Sequence, residues 1–168
     1  MKNLLLVSFL LMGSMGYSQS FFKNAKSLII WNAGDNIPQS SKLKSGGMLR
    51  IKSDGTQVNV QIVFGAKGYA VEYFEENGDW ERMELTEYDF DKDGKNELVI
   101  AYGTPGELLF KISIYKINKS GAKEIGSFEG QSNCWFEKNK VKLPYGSQGL
   151  YWEYTLMNGR FMQTQNSF

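Results

Sequence analysis

The alternation of apolar and polar residues is the dominant pattern along this chain. It is regular from Val58 to Ile62 and again from Lys111 to Ile117. Alternation with a period of two predicts β-strands that bury one face and expose the other to water. Enrichment in β-branched and aromatic residues extends the prediction to strands over 28–31, 48–51, 57–64, 69–74, 98–102, 109–117, 125–128, 134–136, 141–143 and 150–156.

Glycine-containing dipeptides separate the predicted strands, as tight hairpin turns require. They are Asp54-Gly55, Asn77-Gly78, Ser120-Gly121 and Asn158-Gly159. No segment has helical periodicity over the length of a stable helix, so we predict an all-β fold, an antiparallel meander of hairpins. The glycines at 78, 121 and 159 recur at intervals of about forty residues, close to the length of a propeller blade. A β-sandwich, an open barrel and a stack of propeller-blade-like sheets are the alternative architectures.

Residues 1–18 have the features of a secretory signal peptide. Lys2 precedes an apolar run from Leu4 to Met12, and small residues follow at the spacing of a cleavage site before Gln19. The apolar run is too short to span a membrane, which takes about 20 residues. No cysteine follows the run, so no lipid anchor is expected. We predict a secreted or periplasmic protein whose residues 19–168 form a single all-β domain.

The acidic stretch Asp89–Glu97 is the part of the chain that predicts specific chemistry. Aspartates stand at positions 89, 91 and 93, Gly94 is the sixth residue and Glu97 the ninth. Calcium takes six to eight oxygen ligands at about 2.3–2.6 Å, and alternating carboxylates can converge on it. Four carboxylates this close repel one another unless a cation neutralises them, and Lys92 and Lys95 can do only part of that. The alternative is an ordinary turn rich in aspartate, lysine and glycine.

The twelfth position of the acidic stretch, where an EF-hand has glutamate, is Ile100. Instead, Tyr88–Ile100 followed by Gly103–Glu107 resembles the FG-GAP/VCBS calcium-binding repeat of integrin-α-like propellers and many secreted bacterial proteins. In that family the acidic loop joins two antiparallel strands. The resemblance covers about residues 89–107 in one copy, whereas a closed propeller needs several, and Glu97 stands where the family more often has aspartate. It implies one structural calcium ion held by the side chains of Asp89, Asp91, Asp93 and Glu97 and the backbone carbonyl of Lys95.

The composition excludes several classes of enzyme. The chain contains no histidine and one cysteine, Cys134. Nucleophile systems that use histidine, histidine-ligated zinc and thiolate zinc cages are therefore excluded. Cys134 follows Asn133 and precedes Trp135, a context that favours burial as a small apolar side chain. The net charge of +1 predicts no long-range attraction to nucleic acid or to anionic membranes.

The loop Pro144–Trp152 is the candidate partner-binding segment. It combines glycine and proline with Tyr145, Tyr151 and Trp152, and exposed loops of this kind often carry function. We predict a calcium-stabilised binding protein, not an enzyme, that recognises a protein or glycan partner outside the cytoplasm. One alternative is an inhibitor or immunity protein that acts through this loop.

A second alternative is an exported glycan hydrolase, which needs two carboxylates about 5–9.5 Å apart across a cleft. The candidates are glutamates in the middle of the chain, which otherwise predict a solvated face: Glu72, Glu75, Glu76, Glu81, Glu84 and Glu87.

Overall fold

The computed structural model describes residues 20–76, 78, 80–104, 110–131, 134–146 and 149–166. The predicted signal peptide lies outside these residues, as do the Pro-Gly turn of the FG-GAP/VCBS match and two residues of the Pro144–Trp152 loop. No helix in the described part of the chain is long and apolar enough to cross a membrane. The strands are β1 (Ile29–Asn32), β2 (Gln39–Lys42), β3 (Met48–Ser53), β4 (Gln57–Phe64), β5 (Lys67–Glu75), β6 (Arg82–Tyr88), β7 (Glu97–Gly103), β8 (Phe110–Asn118), β9 (Gly121–Gly130), β10 (Trp135–Glu137), β11 (Lys140–Tyr145), β12 (Leu150–Met157) and β13 (Arg160–Asn166).

The strands form three antiparallel sheets. The first sheet has the order β2-β3-β4-β5, the middle sheet β1-β6-β7-β8-β9 and the third sheet β10-β11-β12-β13. Each sheet is a meander of consecutive strands, to which the middle sheet adds β1 beside β6. The prediction of an all-β antiparallel fold is confirmed. None of the three sheets closes into a barrel, and they stack face to face instead.

Two apolar cores separate the sheets, one on each face of the middle sheet. Strand β7 supplies both of them: Leu98 and Ile100 face the first sheet, whereas Val99 and Ala101 face the third. A strand that is apolar on both sides is typical of a sheet covered on both faces. The first core includes Leu49, Ile51, Val58, Val60, Ile62, Met83 and Leu85, and the second includes Ile112, Ile114, Phe136, Val141, Leu143 and Phe161.

The connection between β5 and β6 is not the predicted hairpin. These strands belong to different sheets, so the chain crosses from the first sheet to the middle sheet between them. The crossing is set by Trp80, whose indole lies 5.0 Å from Trp31 and 5.5 Å from Phe74 between ring centroids. Burying this large ring between Trp31 of β1 and Phe74 of β5 links the middle sheet to the first sheet at the crossing. Asn77 itself lies outside the described residues.

Residues 20–27, the N-terminal segment, tie the middle sheet to the third. The ring of Phe21 stacks on Phe110 of β8 with centroids 4.9 Å apart. On the other side, the backbone N–H of Lys23 donates to the carbonyl of Cys134, and the N–H of Cys134 donates to the carbonyl of Phe21. Cys134 is buried, as predicted, and burial raises the pKa of its thiol.

A buried carboxylate anchors the N-terminal segment. Glu84 of β6 has 0% exposure, which corrects its predicted place on a solvated face. Its carboxylate lies 2.7 Å from the guanidinium of Arg82 and accepts hydrogen bonds from the hydroxyls of Ser20 and Ser27, each at 2.7 Å. The backbone N–H of Phe21 donates a further bond at 3.1 Å. A charge buried this fully requires such partners, and here they fix the chain that precedes β1.

Glu84→Ala should therefore destabilise the protein by about 3–5 kcal/mol, because the variant loses a buried ion pair and leaves the donors of Ser20, Phe21 and Ser27 without their acceptor. Chemical denaturation measures this free energy of unfolding. Glu81→Ala is the matched control at an exposed neighbouring position, with an expected change within about 0.5 kcal/mol. Equal denaturation midpoints for the two variants would contradict the anchoring role of Glu84.

Candidate metal centre and binding groove

The acidic loop joins β6 to β7 at one end of the middle sheet. The last cross-strand pair before it is Tyr88 with Glu97. Phe90 anchors the loop to the second core, where its ring is fully buried. The centroid of this ring lies 5.2 Å from that of Phe136 and 5.1 Å from that of Phe161. The carbonyl of Phe90 also accepts the backbone N–H of Asn139, which precedes β11, at 2.7 Å. The loop is thus attached to the third sheet as well as the middle one.

Hydrogen bonds from its own backbone curl the loop inward. Gly94 donates to the carboxylate of Asp89 at 3.2 Å, Asp93 to that of Asp91 at 3.1 Å, and Lys95 to that of Asp93 at 2.8 Å. Gly94 has a φ of 83°, in the left-handed region that glycine adopts without strain. These bonds fix the orientations of the three aspartate side chains within the loop.

The structure brings together three of the five predicted ligands. One carboxylate oxygen from each of Asp89, Asp91 and Glu97 lies within 4.8 Å of the other two. Two oxygens on opposite sides of a calcium ion are separated by about twice the 2.3–2.6 Å bond length. In addition, Oδ1 of Asp89 is buried and has no hydrogen-bond partner among the described residues. This triad can hold a metal ion.

Glu97 is the buried member of the triad, with 1% exposure. Its Oε2 accepts the backbone N–H of Phe90 at 3.0 Å. Burial raises the pKa of Glu97, and the charges of Asp91 and Asp93 act in the same direction, against the lowering effect of the Phe90 hydrogen bond. A cation beside Glu97 would stabilise the ionised carboxylate that burial disfavours.

Lys116 of β8 is the residue that sequence analysis missed. Its ammonium lies 2.7 Å from Asp91, 3.5 Å from Asp93 and 3.9 Å from Glu97. The hydrogen bond from Lys116 lowers the pKa of Asp91, and the same bond raises the pKa of Lys116. Lys92 instead places its ammonium 5.0 Å from the centre of the Tyr88 ring.

The two remaining predicted ligands are Asp93 and the backbone carbonyl of Lys95. Asp93 is not part of the triad and contacts Lys116, whereas the role of the Lys95 carbonyl stays a prediction. The antiparallel register pairs Leu98 with Tyr115, so β8 carries Lys116 to the level of Glu97. Lys116 could have been found from this register. The register depends on the pairing of β7 with β8, which the sequence of the acidic loop does not reveal.

The three candidate partner-binding aromatics do not share one surface. Tyr145 and Trp152 stack with ring centroids 4.6 Å apart, and Trp152 packs against the second core. Adjacent residues of a strand point to opposite faces, so Tyr151 lies on the outer face of the third sheet. There its ring is 5.6 Å from that of Trp135, and the ammonium of Lys142 is 5.2 Å from its centre.

Trp152 also lines a groove of about 490 Å³ between the middle and third sheets. One wall is aromatic, since the rings of Phe128 and Tyr154 lie 4.1 Å apart. The lining also includes polar residues of β8 and β9 that alternate with the core-facing Ile112 and Phe128. Pockets of this kind combine an apolar surface with a few polar groups that orient the ligand. The residues that line the groove are Lys111, Ser127, Phe128, Glu129, Trp152 and Tyr154.

The central glutamates are dispersed over the structure. Glu72 of the first sheet accepts a hydrogen bond from the hydroxyl of Tyr115 at 2.7 Å. Glu84 points to the other side of the middle sheet, because its neighbours Met83 and Leu85 face the first core. Glu75 and Glu81 are exposed. The carboxylate of Glu76 accepts a hydrogen bond from the hydroxyl of Ser53, and the carboxylate of Glu87 accepts one from the backbone N–H of Lys44.

No protein-family model matches this chain, and neither a curated protein nor a solved structure matches it. The FG-GAP/VCBS resemblance therefore stays a prediction that rests on the residues of the acidic loop.

The Glu72–Tyr115 contact has a consequence for stability as a function of pH. Burial raises the pKa of Glu72 above its ordinary value of 4.5, and the Tyr115 hydrogen bond opposes that shift only partly. The folded state therefore binds the proton more tightly than the unfolded state. Stability falls as the pH rises from about 4.5 through the folded-state pKa.

Glu72→Gln should remove this loss while its amide oxygen still accepts the Tyr115 hydroxyl. We expect the variant to gain stability relative to the wild type as the pH rises from 4 to 7, measured by urea denaturation at each pH. Glu75→Gln, in an exposed position of the same strand, controls for the loss of one carboxylate. A difference between Glu72→Gln and wild type that stays constant over this range would exclude the predicted linkage.

Proposed function

We propose that this protein is an exported, calcium-stabilised, β-rich binding protein that recognises a glycan or protein partner outside the cytoplasm. The observation that carries the proposal is the triad of Asp89, Asp91 and Glu97, in which a buried carboxylate oxygen has no hydrogen-bond donor among the residues that the structure describes. Export is supported by the signal-peptide features of residues 1–18. The proposal includes no catalytic activity.

Calcium suits the triad better than other common ions do. Every side chain of the triad offers oxygen, the ligand type of hard cations, whereas zinc and copper sites generally use histidine or cysteine. Magnesium demands a nearly ideal octahedron with bonds of about 2.0–2.1 Å, whereas calcium accepts irregular loops and longer bonds. Extracellular modules bind calcium with dissociation constants up to about 10⁻³ M, so a modest site is sufficient outside the cytoplasm.

The role of the ion in this proposal is structural. Neutralising the acidic loop would hold Phe90 in the second core and keep its carbonyl on Asn139. If the site is filled at one hundred times its dissociation constant, the ion adds about 2.7 kcal/mol to the free energy of unfolding. That is a sizeable part of the 5–15 kcal/mol or so that stabilises a typical domain.

Calcium at 1 mM should therefore raise the melting temperature by about 5–10 °C over the chelated protein, measured by differential scanning calorimetry. Glu97→Gln should abolish most of the increase, because it removes the buried charge of the triad. Asp54→Asn, in the turn between β3 and β4, is the control and should leave the increase unchanged. Identical melting curves with calcium and with chelator would rule out the structural ion.

The groove between the middle and third sheets supports a glycan as the partner. Sugar rings present apolar C–H faces and hydroxyl edges, which match an aromatic wall beside polar groups. Phe128, Trp152 and Tyr154 are the aromatic residues of the lining, and Lys111, Ser127 and Glu129 are the polar ones. Trp152 is the one predicted partner-binding residue that lines this groove.

An array of oligosaccharides should yield a ligand, and Glu129→Gln and Ser127→Ala should each weaken its binding about tenfold. Both positions are exposed on β9, so the melting temperature should stay within about 2 °C. Tyr73→Ser, at a residue 58% exposed on the first sheet, is the matched surface control. If no oligosaccharide binds at millimolar concentration, or the groove variants bind like the control, the glycan assignment is wrong.

A further inference from the structure

Lys116 approaches the acidic loop from outside it, on the neighbouring strand β8. Its ammonium contacts two members of the triad, Asp91 and Glu97, and it also contacts Asp93. Both oxygens of Asp91 are already engaged, since Oδ1 accepts the N–H of Asp93 and Oδ2 accepts Lys116. The loop is thus compensated by a cation that belongs to the chain itself.

An ion bound by the triad and an ammonium in this position would compete for the same carboxylates. A calcium ion lies about 2.3–2.6 Å from each ligand oxygen, while Lys116 is only 2.7 Å from Oδ2 of Asp91. The two cations would be close neighbours and would repel each other strongly in a partly buried site. The lysine can leave, because its side chain is 43% exposed and its four-carbon stem is flexible.

We propose that Lys116 is the resident cation of the acidic loop, which holds the carboxylates together without metal and withdraws when calcium binds. This inference rests on the calcium site of the proposed function. The acidic loop then has two states, one with Lys116 and one with calcium, and in each state a cation offsets the negative charge of the carboxylates. Since calcium must displace Lys116, the lysine lowers the affinity and tunes the site toward the high calcium concentrations found outside cells.

The test is calorimetric titration of the purified protein with calcium chloride, combined with melting curves in chelator. Lys116→Met should bind calcium about tenfold more tightly than wild type, a difference of about 1.4 kcal/mol. In chelator the same variant should melt at a lower temperature, because the carboxylates lose their counter-ion. Lys116→Arg keeps the charge and should retain wild-type affinity to within a few-fold.

Lys92→Met is the matched control for charge. Lys92 belongs to the loop and is exposed, and its ammonium lies 5.0 Å from the centre of the Tyr88 ring. This variant loses the same charge near the site without vacating the triad, so its affinity should change by less than about threefold. If Lys116→Met is too unstable without metal, Lys116→Gln provides the same comparison with a polar side chain.

The outcomes separate this inference from the proposed function. Calcium binding to the wild type with equal affinity for Lys116→Met would overturn the resident-cation role and leave the calcium site intact. Binding to Lys116→Met but not to the wild type would support the role of Lys116 and overturn calcium stabilisation of the natural chain. Absence of binding in every variant would overturn both.

Discussion

Burial of the middle sheet on both faces is the constraint on which the rest of this structure depends. Strand β7 alternates its apolar residues between two cores, so neither outer sheet can be removed without exposing one of its faces. Water is excluded from both sides, and the polar groups on β6 and β7 must find partners within the protein. The N-terminal segment, the acidic loop and the groove all lie where the middle sheet meets one of its neighbours.

The two buried glutamates of the middle sheet show how this constraint shapes the site. Glu84 lies within β6, where Arg82 and the N-terminal segment satisfy its carboxylate completely. Glu97 opens β7 at one end of the sheet, where its side chain accepts the backbone N–H of Phe90 and its nearest cation in the described part of the chain is 3.9 Å away. The first carboxylate is a finished anchor. The second carboxylate is only partly compensated, so the acidic loop can still take up a cation.

Alternation along the chain predicted the fold class and most strands, because the apolar period reflects burial directly. Strand β6 was missed, since Arg82, Glu84 and Thr86 look like a solvated face until the N-terminal segment covers them. Local spacing was sufficient to predict that Asp89, Asp91 and Glu97 come together. Lys116 and the groove were not predictable in this way, because both depend on which strands pair and which sheets stack, and neither is encoded in a short segment.

The N-terminal segment also sets the order in which the protein can be completed. Phe21 and Asn24 make hydrogen bonds with Cys134 and Phe136, contacts that span more than one hundred residues. During synthesis from the amino end, the two adjacent phenylalanine residues of the N-terminal segment are made well before the residues that they contact. Loop closure over that distance is slow, so the second core assembles only after nearly the whole chain is available. During that interval the two unpaired phenylalanine rings expose apolar surface that favours aggregation and chaperone binding.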